Sequence, residues 1–341
     1  MEQGKIIMGS VYRFIKTREK VMKGVFLASA LFSVVALATI TVFLFASGLP
    51  FIAKTGVGNF LFGTKWAPLA DSPAYGILSM IVASLYVTAL SVFFGVGVGL
   101  FTAICLYKFC PQKLVAPIRQ MVNLLAGIPS VIFGLFGMTI IVPYIRDYIS
   151  PTGVGYGILA SSIVLGIMVL PTIVSVSLDA MNAVPESYFE GALALGATRE
   201  QTTFKVMLPA AKSGILAGVV LAIGRAIGET MAVIMVIGGA AEMPKSIFQS
   251  VRTLTANIAM GATEIKGEAE YALIATGIVL FVFTLLLNVS FSLLSADKSE
   301  KKEKKSHRRY DDKKDEKVKS EKSDGKIEKS EVSGDDGSKD R

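Results

Sequence analysis

Long stretches of this chain carry no charged residue, and these stretches limit its fold more than any other feature. A helix needs about 20 apolar residues to cross the ~30 Å hydrocarbon core of a bilayer. Five uncharged stretches are at least that long. They lie between Lys23 and Lys54, Asp71 and Lys108, Arg119 and Arg146, Asp147 and Asp179, and Glu270 and Asp297. Each is therefore predicted to form one membrane-spanning helix.

A sixth apolar stretch, residues 213–240, contains two charged residues, Arg225 and Glu229. Its flanks are strongly apolar, and positions four apart lie on one face of a helix, where opposite charges can pair. We therefore count it as the fifth of six spans along the chain. The predicted fold is all-α: a polytopic membrane protein with six transmembrane helices.

The charged flanks predict how the chain is arranged across the cytoplasmic membrane. Residues 1–24 form a basic segment with six Lys or Arg, which the positive-inside rule places in the cytoplasm. Residues 25–296 form the membrane domain, and its six spans return the C-terminus to the cytoplasm. Residues 297–341 contain 16 Lys or Arg and 14 Asp or Glu. We predict a disordered tail there, because it cannot bury enough apolar surface to fold, and its first part could also touch lipid headgroups.

Composition also argues against several classes of function. The formal charge of +8 belongs mainly to the cytoplasmic flanks, so we predict no nucleic-acid binding. With one histidine and two cysteines, Cys105 and Cys110, the chain has no metal-ligand spacing. It also has no Walker-type phosphate loop, so we expect a transport subunit without a nucleotide site of its own rather than an enzyme.

Pro129 lies near the start of the third predicted span. Proline lacks the backbone N–H and bends or breaks a helix. In a membrane such a break is tolerated only beside protein or a water-filled cavity. Two interpretations remain open: a kink that serves helix packing, or a bend that shapes a translocation path.

A cytoplasmic loop, about residues 183–212, is predicted to form two short helices. Residues 185–195 favour the first, Gly196 supplies the left-handed turn that ends it, residues 198–207 form the second, and Pro209 stops it. The loop's apolar side chains are Leu193, Leu195, Phe204, Val206 and Met207. A free loop should not expose so much apolar surface, so either a partner covers it or the loop folds against its own helices.

The sequence of this loop resembles that of the permeases of ATP-driven (ABC) importers. Their pattern is Glu-Ala-Ala, three residues, Gly, nine residues and Ile-x-Leu-Pro. The residues at these positions are Glu190, Gly191, Ala192, Gly196, Val206, Leu208 and Pro209, with Gly191 in place of Ala and Val206 in place of Ile. The resemblance implies a type I-like importer permease fold. It also implies a dimer of ATPase subunits that docks on this loop and holds the ATP and Mg²⁺, so that this chain binds no cofactor.

Two charged residues within the fifth span need an explanation, because an Arg at the bilayer centre costs about 2.5–3.5 kcal/mol. Arg225 and Glu229 could form an ion pair that only fixes helix packing. Alternatively, Arg225 could lie on an anion path, where its guanidinium binds two oxygens of an oxyanion and Glu229 holds it between ions. Buried ion pairs contribute little net stability, so we favour the second interpretation.

Residues 224–233, Gly-Arg-Ala-Ile-Gly-Glu-Thr-Met-Ala-Val, resemble the corresponding stretch of PstC-type permeases of the bacterial phosphate ABC importer. Residues 125–131 and 252–259 and Asn288 are also similar, whereas Asn123 stands where that family often has Glu. The resemblance implies import of inorganic phosphate past Arg225, Glu229 and Thr230. It further implies a PstA-like second permease subunit and an extracytoplasmic phosphate-binding protein, for which residues 48–73 and 239–270 are candidate docking segments.

Two alternatives remain. The chain could be a permease for another oxyanion, such as sulfate, molybdate or phosphonate, because the loop motif would suit any of them. It could also be a stand-alone secondary transporter or an intramembrane enzyme. Against these, the sequence shows no inverted pair of broken helices and no catalytic Ser/His/Asp or paired-Asp set within a span.

Overall fold

The computed structural model describes residues 2–290, with side chains from Arg18 onward. This part of the chain is almost entirely helical, and its only strands form one short antiparallel pair, β1 (Trp66–Ala67) with β2 (Ala74–Tyr75). The charged segment 297–341 lies outside the described residues. In chain order the helices are α1 (Glu2–Thr55), α2 (Val57–Phe62), α3 (Leu78–Phe109), α4 (Gln112–Ala126), α5 (Ser130–Ile149), α6 (Ile158–Asn182), α7 (Glu186–Ala194), α8 (Arg199–Ala210), α9 (Lys212–Gly228), α10 (Met231–Ile237), α11 (Leu254–Glu264) and α12 (Glu268–Ser290).

Five of the described helices are long and apolar enough to cross a membrane: α1 from Arg18, α3, α5, α6 and α12. The pair α8 and α9, which bends by 67°, passes the same test as one broken span and brings the number to six. The all-α, multi-span fold predicted from the uncharged stretches is confirmed. Helices are the expected solution, because a helix satisfies its backbone hydrogen bonds internally where no water is present.

The break predicted at Pro129 is confirmed. Helix α4 ends at Ala126, and Pro129 stands at the N-cap of α5 with φ −58° and ψ 140°. The residue after α4, Gly127, caps that helix through its backbone N–H. The third span therefore begins at Ser130, and α4 is a separate helix with no buried side chain.

The predicted fifth span, residues 213–240, is wrong as a single helix. Helix α9 ends at Gly228, and α10 begins only at Met231. Thr230 between them has φ −120° and ψ −57°, outside the helical region. The Glu229 carboxylate accepts a hydrogen bond from the Ala232 amide (3.1 Å), which satisfies one free N–H at the start of α10. Glu229 therefore does not lie one turn beyond Arg225 on a shared helix face.

The chain divides into two compact units. Among the described residues, the first consists of those up to Phe94, Ile128–Met168 and Ala226–Thr284, and the second of Gly95–Gly127, Val169–Arg225 and those from Leu285 onward. Helices α3, α6, α9 and α12 contribute residues to both units. The cytoplasmic loop and Arg225 belong to the second unit, whereas Glu229 and Thr230 belong to the first.

Glycines set the helix packing in the first unit. A Cβ atom at Gly48 of α1 would lie 2.7 Å from Ile278 Cδ1 of α12, and one at Gly134 of α5 would lie 2.7 Å from Met235 Sδ of α10. Small residues let membrane helices approach closely. The N-terminal part of α1 has no such cover, since Phe32 is 75% exposed. That surface must face lipid or another subunit.

In the second unit, α6 contacts both α3 and α9 through glycines. A Cβ atom at Gly99 would lie 2.8 Å from Ile173 Cγ2, and one at Gly214 would lie 2.5 Å from the Cβ of Ala180. Neither position has room for a larger residue without a shift of the neighbouring helix. Helix α9, which follows the cytoplasmic loop, is thus held tightly against α6.

Candidate functional site

The first helix of the cytoplasmic loop ends in the turn that the sequence predicts. Gly196 has a φ of +85°, in the left-handed region. Its amide donates to the Leu193 carbonyl (2.9 Å), and the Ala197 amide donates to the Ala192 carbonyl (3.1 Å). These two bonds form a Schellman motif, which satisfies the free carbonyls at the end of α7. Two positions of the motif, Ala192 and Gly196, therefore take part in the same helix-ending turn.

The second helix begins as predicted but ends later. Thr198 and Gln201 form a capping box: the Gln201 amide donates to Thr198 Oγ1 (3.2 Å), and the Thr198 amide donates to Gln201 Oε1 (3.1 Å). Helix α8 then runs past Pro209 to Ala210, so the prediction that Pro209 stops it is wrong. Pro209 stands in the first turn of a new α-helical segment, Leu208–Ala210, after a π-helical turn. A proline is tolerated there because its missing N–H has no partner to lose.

The apolar surface of the loop is smaller than the sequence predicts. Leu195 is 91% exposed, Phe204 46% and Leu193 37%, but Met207 is fully buried. Met207 therefore belongs to the chain's own core. For this residue the structure favours the alternative in which the loop packs against its own helices. The exposed Leu193 and Leu195 lie next to the Gly196 turn, and Glu190 and Gly191 of the same helix are also exposed.

The loop is attached to the end of α3 by Lys108 and Phe109. The Lys108 ammonium lies 2.8 Å from Glu186 Oε1 and 4.5 Å from the centre of the Phe189 ring, both on α7. The Phe109 ring lies 6.3 Å from that of Phe204 on α8. Cation–π contacts and partly buried ion pairs are stronger than fully exposed ones. A displacement of α7 should therefore reach α3 through Lys108.

If an ATPase acts on this loop, as its resemblance to importer permeases implies, Lys108→Met should weaken the coupling of ATP hydrolysis to transport. The methionine keeps the apolar contacts with Phe189 but removes the charge that binds Glu186. The number of anions moved per ATP should fall severalfold, while the ATPase still co-purifies. Lys108→Arg should restore coupling, and Lys113→Met, the same change at an exposed lysine of α4, should have no effect. An unchanged transport-to-hydrolysis ratio in Lys108→Met would show that the contact does not transmit the motion.

A groove of about 850 Å³ opens beside α7 in the second unit. Side chains of both charges line it, including Lys108, Arg119, Glu186, Glu190 and Arg199. Arg119 also pairs with Asp179 at the end of α6 (2.9 Å). Glu190, the first residue of the loop motif, thus faces an open polar groove and not a packed interior.

Arg225 is exposed in the last turn of α9. Its Nη1 donates to Thr172 Oγ1 of α6 at 3.5 Å, and it forms no ion pair within residues 18–290. Asn288 of α12 lies nearby, since a Cβ atom at Gly224 would be 3.5 Å from its Oδ1. Thr172, which follows Pro171 within an apolar helix, carries no signal in the sequence that would select it. A cation in a membrane helix with a hydroxyl and an amide around it, and no carboxylate, is suited to an anion.

Glu229 and Thr230 are held by elements of the first unit. The Glu229 carbonyl accepts a hydrogen bond from Thr255 Oγ1 of α11 (3.1 Å), and Thr230 Oγ1 donates to the Gly228 carbonyl (3.3 Å). The carboxylate of Glu229 is engaged with the start of α10. The break between α9 and α10 is thus fixed by α11, a contact that the sequence analysis missed.

Comparison with known proteins gives consistent matches. The profile of a family described as "Binding-protein-dependent transport system inner membrane component" matches residues 95–299. The probable ABC transporter permease protein YqgH of Bacillus subtilis is 40% identical over 273 residues, covering 79% of this chain and 88% of that protein. The phosphate transport system permease protein PstC of Mesorhizobium japonicum is 34% identical over 279 residues, covering 76% and 84%.

The fold is also found in solved structures. A chain in the crystal structure of a bacterial alginate ABC transporter, in complex with an alginate pentasaccharide-bound periplasmic protein, superposes with a TM-score of 0.58. The match covers 82% of this chain and 95% of that chain at 18% sequence identity. At this identity the likeness concerns the fold alone.

Proposed function

The chain belongs to the family of binding-protein-dependent transport system inner membrane components, and from this premise we propose that it is a membrane-spanning subunit of an ATP-driven phosphate importer. One observation carries the choice of substrate: Arg225, a cation in a membrane helix, has no carboxylate partner among residues 18–290. Desolvating such a charge is costly unless an anion accompanies it. The relatives named as phosphate permeases support this assignment.

The energy would come from a dimer of ATPase subunits docked on the cytoplasmic loop. The exposed Leu195 and Phe204 provide apolar surface that such a subunit would cover, and the groove beside Glu190 would receive its polar side chains. The partner would hold the ATP and Mg²⁺, and this chain would bind no cofactor and catalyse no reaction itself.

The loop and Arg225 are connected by a single rigid element. Helix α9 begins at Lys212, directly after the bend that ends α8, and carries Arg225 in its last turn. The 13 steps along the helix from Lys212 to Arg225 span about 20 Å at 1.5 Å per residue. Movement of the loop by the ATPase would therefore shift Arg225, and could alternate the side from which an anion reaches it.

The remaining parts of the assembly lie outside this chain. A PstA-like second subunit would complete the path, and an extracytoplasmic phosphate-binding protein would deliver the anion. Residues 239–270 remain a candidate docking segment. The other predicted segment, residues 48–73, is shortened because α1 continues to Thr55. Six spans would leave both termini in the cytoplasm, where the basic N-terminal segment belongs.

The substrate can be tested by uptake into cells that lack their own phosphate and sulfate importers. Co-expression of the chain with its partner subunits should give saturable uptake of labelled phosphate, which a hundredfold excess of sulfate does not reduce. A complex carrying an ATPase that cannot hydrolyse ATP should give background uptake. Uptake of sulfate or molybdate in preference to phosphate would favour the second candidate, a permease for another oxyanion, for which the loop is equally suitable.

A further inference from the structure

A second arginine, Arg252, is held in a fixed position between α10 and α11. The backbone around it pairs with the end of α10: the Val251 amide donates to the Ile237 carbonyl (3.2 Å), and the Gly239 amide donates to the Val251 carbonyl (3.0 Å). Gly239 has a φ of +89°, a conformation open mainly to glycine. The Gly239 carbonyl is thereby turned toward Arg252 and accepts a hydrogen bond from its Nε (2.8 Å).

The guanidinium of Arg252 has only neutral partners within residues 18–290. Besides the Gly239 carbonyl it contacts Asn257 Oδ1, to which Nη1 donates at 3.3 Å. These two bonds use two of its five N–H groups. Arg252 is half-buried, and this burial lowers its pKa, while the negative charge of Glu264 acts in the opposite direction without forming an ion pair. A half-buried cation without a counter-ion is unfavourable unless an anion joins it.

The side chain of Asn257 adds an amide group whose N–H donors are unused among the described residues. Its side chain is fully buried. Because a guanidinium can only donate, the amide oxygen must be the atom that faces Arg252, and the orientation of the amide is thus determined. The Nδ2 group that remains has no hydrogen-bond partner among the described residues. An unsatisfied buried donor of this kind costs about 1–3 kcal/mol.

The neighbouring hydroxyls do not satisfy Asn257. Thr255 donates to the Glu229 carbonyl, so the hydroxyl of Thr253 is the donor in the 3.2 Å contact between the two threonines. The oxygen of Thr253 accepts from the Ala256 amide. Both hydroxyl hydrogens are therefore engaged, and neither threonine oxygen accepts a hydrogen bond from Asn257 Nδ2. They also connect the Arg252 segment to the break between α9 and α10.

Arg252 and Asn257 together present several free N–H donors, those of Arg252 on a cation, and within residues 18–290 neither forms a hydrogen bond or an ion pair with a carboxylate. This is the complement of an oxyanion with several acceptor oxygens. We propose that the Arg252–Asn257 pair binds the transported oxyanion at a point separate from Arg225. The proposal rests on the proposed function, because it takes phosphate to be that anion. By the charge distribution, this loop lies on the extracytoplasmic side, where an arriving anion would be held first.

The decisive variant is Asn257→Asp, which changes almost no volume but places a carboxylate against Arg252. If Arg252 only fastens the loop, the new ion pair should preserve or strengthen the structure and leave transport unchanged. If the pair binds an anion, the carboxylate will occupy Arg252 and repel the substrate. We expect the KM for phosphate uptake to rise tenfold or more while the complex assembles in normal yield. Asn123→Asp, the same change at an exposed asparagine of α4, should leave the KM unchanged.

A second variant keeps the inference testable if Asn257→Asp does not assemble. Arg252→Lys retains a cation but loses the planar fork, and it should raise the KM for phosphate with little change in assembly. A wild-type KM in an assembled variant overturns the proposal. The proposed function fails separately if the wild-type complex imports sulfate and not phosphate. In that case the variants should raise the KM for sulfate, and an unchanged sulfate KM would overturn this inference as well.

Discussion

Replacing Arg225 with glutamine should reduce the rate of phosphate uptake by about 100-fold or more. The guanidinium can make two charge-assisted hydrogen bonds to an oxyanion, each worth about 1.5–3 kcal/mol. Glutamine keeps a polar side chain, although a shorter one, and removes the charge that would accompany the anion through the membrane. The measurement is uptake of labelled phosphate by cells in which the variant complex is expressed at the wild-type level.

The structure provides a competing explanation of Arg225 that this experiment separates. The residue lies in the last turn of α9, where a cation interacts favourably with the helix dipole by about 0.3–1 kcal/mol. If that were its whole contribution, Arg225→Gln would lower stability slightly and leave uptake intact. Arg225→Lys preserves the dipole interaction but not the planar fork, so its uptake should lie between those of glutamine and wild type.

A matched control is available at the end of α5. Arg146 is half-exposed and forms an ion pair with Asp147 (2.8 Å). Arg146→Gln makes the same chemical change at an arginine that already has a carboxylate partner. It should keep wild-type uptake, and a comparable loss in both variants would mean that the effect comes from impaired membrane insertion.

The spans and the loop could be predicted from the sequence because local rules determine them. An uncharged stretch of sufficient length has few alternatives to a membrane helix. The turn at Gly196 follows from the freedom of glycine to adopt positive φ, and the cap at Thr198 from a Thr and a Gln three residues apart. In each case the residues that form the structure are close together in the chain.

The break after α9 could not be predicted in this way. Residues 224–233 have a helical pattern, and glycine at position 228 is compatible with a membrane helix. What fixes the break is the hydrogen bond from Thr255 to the Glu229 carbonyl, between residues 26 positions apart. The same reason explains why Arg252 and Asn257 were not singled out. Their burial, and the absence of an ion pair for Arg252 within residues 18–290, depend on how α10 and α11 pack. A hydrophobic pattern in the sequence does not predict this packing.

The placement of Arg225 and Glu229 also changes how their roles are understood. As neighbours on one helix they would hold each other between transport cycles. In the structure each has its own partners, Thr172 for Arg225 and the start of α10 for Glu229. Arg225 is therefore available for an anion without having to be released from a carboxylate. The carboxylate of Glu229 instead helps to position the break between α9 and α10.

Replacing Gly196 with proline should abolish binding of the ATPase to the complex. Proline fixes φ near −65°, whereas Gly196 has +85°. Proline would also remove the amide that donates to the Leu193 carbonyl. Helix α7 could not end in its present turn, and Glu190 and Leu195 would be displaced from the surface offered to the partner. Co-purification of the ATPase with the membrane subunits measures the loss, and Glu190→Arg should weaken the same association.

Gly196→Ala and Gly191→Ala serve as controls for this prediction, because the methyl group that each adds contacts no other described residue. A Cβ atom at Gly196 or at Gly191 would have no neighbour within 4 Å. The only cost of Gly196→Ala should be the strain of alanine in a left-handed backbone conformation, about 1–2 kcal/mol. This variant should therefore lower the yield of bound ATPase only in part. Gly191→Ala lies within α7 and should stabilise that helix by about 0.5–1 kcal/mol, so its yield should equal or exceed wild type. Wild-type binding by Gly196→Pro would contradict the assignment of the loop as the surface on which the ATPase acts.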